Sequence, residues 1–81
     1  MLLIAGSLRV DAADRAAYLG LVARATAVAR ETPGCLDFAH SADPLEPDRI
    51  NIFERWESDA ALQAFRDLPS DPGVGTADQN R

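Results

Sequence analysis

Apolar positions along the 81-residue chain recur at two spacings, two residues and about 3.6 residues, and each switch between them predicts an element. Leu2–Val10 (LLIAGSLRV) is apolar and partly β-branched, which predicts a first strand. Leu2, Ile4, Gly6 and Leu8 share one of its faces; Leu3, Ala5, Ser7 and Arg9 share the other. Both faces are largely apolar near the start, so both are expected to be covered. The spacing then becomes helical. Tyr18, Val22, Ala25 and Ala29 form a stripe, widened by Leu21 and Val28, while Asp14, Arg15, Arg24 and Arg30 fall away from it. Asp11 is placed to cap this helix, with Asp14 in the charge-favourable first turn. Pro33 and Gly34 end it, which predicts a first helix over residues 12–31.

Strict alternation follows in Cys35–Ala42 (CLDFAHSA), with Leu36, Phe38 and His40 on one face and Cys35, Asp37, Ala39 and Ser41 on the other. DPLEPD carries two prolines and three acids and reads as a hairpin loop. Its partner strand, Arg49–Glu57 (RINIFERWE), places Ile50, Ile52, Glu54 and Trp56 on one face and Asn51, Phe53 and Arg55 on the other. Ser58 caps a second helix whose stripe is Ala61, Leu62, Phe65 and Leu68. PSDPGVGTADQNR has no apolar alternation. The expected organisation is therefore one domain over residues 1–68 and an irregular or disordered tail over residues 69–81.

The order β-α-β-β-α is the ferredoxin-like split βαβ plan, an α+β fold with two helices on one face of an antiparallel sheet, here without a last strand. The face away from the helices is too apolar to be left wet. A homodimer is expected, and a domain of this length gains from one because it buries a modest share of its surface alone.

Composition narrows the function. The net charge is −5 and the basic residues are scattered, which argues against nucleic-acid binding. One cysteine, Cys35, and one histidine, His40, make a poor metal set, so no metal is expected. The only glycine cluster, PGVG, follows no strand and opens no helix, so no phosphate loop is present. No apolar run approaches the roughly 20 residues that cross a bilayer, and MLLIAGSLRV lacks the basic start of a leader. A cytoplasmic location without membrane partners is expected.

PGCLDF, the DP-x-x-PDR hairpin and ERWES-x-x-AL-x-AF together resemble the antibiotic biosynthesis monooxygenase family over residues 2–68. The resemblance implies a dimeric α+β barrel, two sheets packed face to face with a pocket in each subunit. It implies oxidation of a phenolic, anthrone or quinol-type aromatic by dioxygen with no metal, flavin or other cofactor. Two features depart from the family. Many members carry a histidine nine residues after the Trp56 position, where this chain has Phe65. The haem-degrading branch has a tryptophan in this helix and a histidine one loop further on, whereas this stretch has Phe65 and no histidine, which points away from haem. The second departure is that the family's final strand is missing: where it should follow, the chain reads SDPGVGTADQNR, which does not read as a half-buried strand.

Four residues are candidates for the site. Trp56 either stacks on an aromatic substrate and donates its indole N–H, or serves as a core or interface aromatic. Glu54, on the same face, is a general base if burial raises its pKa, or else the partner of an arginine such as Arg9 or Arg49. Asn51 reaches a substrate oxygen only if the opposite face lines the pocket. His40 is the one side chain that titrates near neutrality when unperturbed. Tyr18 reads as core, and Cys35 has no basic neighbour in sequence to activate it. The competing reading is a non-catalytic dimeric module of the same fold that binds a small aromatic ligand or only assembles.

Overall fold

The computed structural model describes residues 1–69. The tail expected over residues 69–81 therefore lies, from residue 70 onward, outside the described residues. The elements are β1 (Leu2–Arg9), a single 3-10 turn (Ala12–Asp14), α1 (Arg15–Glu31), β2 (Cys35–Ala42), β3 (Arg49–Trp56) and α2 (Asp59–Arg66). This is the α+β, ferredoxin-like order β-α-β-β-α. The three strands form one antiparallel sheet in the order β1-β3-β2, so β3 is central.

The register sets the faces. Ile4, Glu54 and Phe38 stand in one row across the sheet, and Gly6, Ile52 and His40 stand in another. Both helices cover this face, where Ala29 of α1 and Leu62 of α2 meet Phe38 and Trp56 in the core. On the opposite face, Leu3 is 57% and Phe53 40% exposed. The expectation that both faces of β1 are covered thus fails within the protomer. Only the face carrying Leu2, Ile4 and Leu8 is sheltered.

Two local expectations also change. Alternation alone puts Cys35 with Asp37 on the outward face. A β-bulge between them sets two residues of β2 against one of β3, and Cys35 pairs with Trp56 and packs against the core. Leu36 remains 43% exposed. Asp11, the expected cap, makes no side-chain capping bond. Its carbonyl instead accepts from the Asp14 N–H at 2.8 Å, which closes the 3-10 turn, and the α-helix starts at Arg15. Arg15 reaches across the fold to the hairpin, where its Nη1 donates to the Glu46 carbonyl at 2.9 Å. It lies 3.3 Å from the carbonyls of Asp43 and Arg49. Ser58 does cap α2, its Oγ accepting from the Ala61 N–H at 3.1 Å.

Gly34 joins α1 to β2 with φ of 90°, a region that suits glycine. A Cβ there would sit 2.5 Å from the Ala61 Cβ. The turn and α2 are therefore in direct contact, and the Glu57 N–H donates to the Gly34 carbonyl at 2.8 Å.

The β2–β3 hairpin is held by polar groups. Asp43 accepts from the Leu45 and Glu46 N–H groups at 3.0 and 2.8 Å and from the Asn51 amide at 2.9 Å. The Asn51 amide, those two backbone N–H groups and the nearby Arg49 hold the Asp43 carboxyl well below its ordinary value, at about 2. Arg9 adds ion pairs to Glu46 and Asp48 at 2.9 and 2.7 Å. Among the described residues, no helix is long and apolar enough to cross a membrane.

Candidate functional site

Period-two alternation along β3 brings Glu54 and Trp56 to the helix-covered face, and the β2–β3 register sets His40 diagonally across from Glu54. The three side chains form one hydrogen-bonded cluster. His40 Nε2 and Glu54 Oε2 are 2.8 Å apart, and the Trp56 indole N–H donates to Glu54 Oε1 at 3.1 Å. Glu54 is 8% exposed and Trp56 fully buried. Burial alone pushes the Glu54 carboxyl up. The hydrogen bonds from His40 and Trp56, with the field of His40 and of Arg66, outweigh that and hold it below its ordinary value. His40 Nδ1 is buried and has no partner among the described residues. Hydrogen bonding at the cluster is thus incomplete at that ring nitrogen.

Aromatic rings enclose the cluster. The His40 ring stacks on Phe38 with centroids 4.6 Å apart and planes 9° from parallel. Phe65 of α2 meets Phe38 edge-on at 5.7 Å and Trp56 at 5.3 Å. Above these rings a cleft of about 520 Å³ opens between the sheet and the two helices. Ile4, Val22, Ile52 and Phe65 supply apolar walls, His40 and Glu54 a polar floor, and Tyr18, Arg24 and Arg66 polar groups from the helices. A shallower hollow of about 380 Å³, lined by α1 residues and His40, lies beside it. The larger cleft is the candidate site because it alone contains Glu54.

The structure brings together three of the four residues singled out from the sequence and sets the fourth apart. Trp56 lies beneath the cleft rather than on its surface, where it supports Glu54 and Phe65 from the core. Glu54 is paired with His40 and Trp56, whereas Arg9 and Arg49 serve the hairpin. Asn51 is on the other face of β3, its amide bonded to Asp43 and its oxygen accepting from Arg49 Nε at 2.8 Å. Burial pushes the Cys35 thiol up, so little thiolate forms there. Among the described residues, no group of three metal-ligating side chains assembles.

Sequence reasoning missed Arg24 and Arg66. Helical spacing contained a signal for both. Arg66 lies four residues after the buried Leu62, and Arg24 lies beside Ala25 on the flank of the α1 stripe.

Comparison with known proteins matches this arrangement to a family. The family model for antibiotic biosynthesis monooxygenases covers residues 1–70. A structure from Chloroflexus aurantiacus, described as a candidate antibiotic biosynthesis monooxygenase, is 32% identical. It matches 93% of this chain and 69% of its own, with a TM-score of 0.70. A counterpart of the same description from Deinococcus radiodurans is 28% identical over 99% of this chain and 76% of its own, with a TM-score of 0.80. A Pseudomonas aeruginosa structure shares the fold at 24% identity, a TM-score of 0.72 and coverage of 82% of this chain and 66% of its own. No curated protein matches the chain. With the family model spanning all of the described residues, the chain belongs to the antibiotic biosynthesis monooxygenase family.

Proposed function

We propose that the unit formed by residues 1–68 is a monooxygenase that oxidises a phenolic, anthrone or quinol-type aromatic with dioxygen and without a bound cofactor. The observation that carries this reading is the part-buried His40–Glu54 pair, fixed by Trp56 and opening on an aromatic-walled cleft. A ring system fits between Phe65 and the sheet face. Within the pair His40 takes the proton of the substrate hydroxyl, while Glu54, whose carboxyl is held below its ordinary value rather than raised by burial, stays ionised as its partner, and Trp56 is a positioning residue that holds the carboxylate in place. The resulting electron-rich anion reduces dioxygen itself, and the apolar walls keep water away while it does so. For an anthrone, one oxygen atom becomes the new carbonyl and the other leaves as water with the two hydrogens of the oxidised carbon. Asn51, bonded within the hairpin, acts only in shaping that loop.

The uncovered sheet face belongs to the same proposal. Leu3 and Phe53 are exposed there, and a second copy of the chain packed on them closes the dimeric α+β barrel.

Oxygen uptake with a panel of anthrones and quinols tests the chemistry. Uptake with at least one compound, abolished in His40→Phe and Glu54→Gln, is expected. A well-folded dimer that oxidises none of them overturns the reading. The second reading, a non-catalytic binding module, is favoured by one observation: both Glu54 oxygens are already engaged. Aromatic binding without oxygen uptake in any condition selects it.

A further inference from the structure

We propose that the cleft is built for an aromatic acid, a phenol whose carboxylate is gripped at the mouth by Arg66 while its hydroxyl meets the His40–Glu54 pair. This deepens the proposed oxidation and rests on the same cleft.

The charge of the cleft is opposite to that of the chain. The sequence has 13 acidic residues against 8 basic ones, yet the cleft lining carries Arg24 and Arg66 against the single carboxylate of Glu54. That carboxylate is not free to repel an anion at the mouth. It is 8% exposed, and its two oxygens are bonded to His40 and Trp56. The two arginines come from different helices, Arg24 from α1 and Arg66 from α2, so the positive lining spans the opening. Arg24 already has a partner of its own. Among the described residues, Arg66 forms no ion pair, which makes its guanidinium the principal donor for a ligand.

The position of Arg66 fits that task. It follows Phe65, whose ring packs on Phe38 and Trp56, so one turn of α2 supplies both a wall for a flat ring and a cation at its edge. A guanidinium fork meets a carboxylate through two parallel N–H bonds, and low-dielectric walls concentrate its field within a cleft. A cleft of about 520 Å³ has room for a fused ring bearing polar groups at opposite ends.

Equilibrium dialysis of the full chain with 6-hydroxy-2-naphthoate and with 2-naphthol tests the inference, since these probes share the ring and the hydroxyl and differ in the carboxylate. The acid is expected to bind at least about ten-fold more tightly at low salt, the equivalent of about 1.4 kcal/mol. The preference is expected to shrink as salt rises. Arg66→Gln is expected to remove it and Arg66→Lys to keep part of it, with circular dichroism confirming that both variants fold. Equal binding of the two probes, binding of neither, or a preference that survives Arg66→Gln overturns the inference. The two proposals fail separately. Selective binding of the acid with no oxygen uptake from any phenol sinks the oxygenase reading and leaves this one. Turnover of neutral phenols with no preference for the acid does the reverse.

Discussion

Glu54 divides its carboxylate between two partners, His40 on one oxygen and Trp56 on the other, the first bond part-buried at the cleft and the second buried. Replacing Trp56 with Phe keeps most of the ring but removes the donor to a buried oxygen. Unfolding in urea is expected to show a loss of about 2 kcal/mol. The Glu54 pKa, followed by NMR titration, is expected to move up towards its ordinary value, because one of the bonds holding it down is gone. Asp43 allows a cleaner pH test. Its carboxyl is held at about 2 in the folded protein, against about 3.9 in an unfolded chain. A lowered folded pKa contributes stability above the unfolded value, and this is lost as pH falls through the folded one. The stability gap between wild type and Asp43→Asn is therefore expected to be full above about pH 4 and to close towards pH 2. A gap that stays constant from pH 6 to 2 would contradict it. Much of this residue-level picture was legible in the sequence. Alternation alone set Glu54 and Trp56 on one face, and the scarcity of histidine marked His40. Their hydrogen bonding was not legible, because it depends on how β2 is registered against β3, and a hairpin loop of six residues leaves that register open.

At the scale of elements, boundaries emerged better than contacts. Both strands of the hairpin and the capped α2 follow from alternation and from Ser58. The bulge beside Leu36 was hidden, because β2 reads as an unbroken period-two run and nothing in CLDF shows that the partner strand is one residue short. The start of α1 misled for a related reason. An aspartate before a helix has the right chemistry for a cap, but a 3-10 turn placed the first α-helical residue four positions later. Gly34 is where the elements constrain one another most sharply. Gly34→Ala is expected to cost about 2 kcal/mol from its left-handed backbone alone, with the approach of Ala61 adding to it. In a domain of this size, that lowers the melting temperature by roughly 10 °C or more, which differential scanning calorimetry would detect.

For the whole molecule, the sheet serves two sides with different tasks. One side carries the core and the cleft, and the other presents Leu3 and Phe53 to its surroundings. Sedimentation of wild type is expected to show a dimer. Phe53→Asp, which buries a charge in the proposed contact, is expected to shift it to monomer while leaving the cleft-facing side chains in place. A wild-type monomer at high concentration would rule out the barrel. The sequence indicated this side through its leftover apolar residues and set Asn51 on it beside Phe53, but only the structure showed that the cleft lies on the other side. The contact between Gly34 and Ala61 also bears on the cleft. Ala61 belongs to α2, one turn before Phe65, so the Gly34 turn rests on the helix that carries Phe65 and Arg66 over the cleft. A bulkier side chain there, as in Ala61→Val, is expected to push α2 away from the turn and change the cleft that the helix lines. A residue outside the cleft lining is then expected to act as a lever on the breadth of ring the cleft accepts.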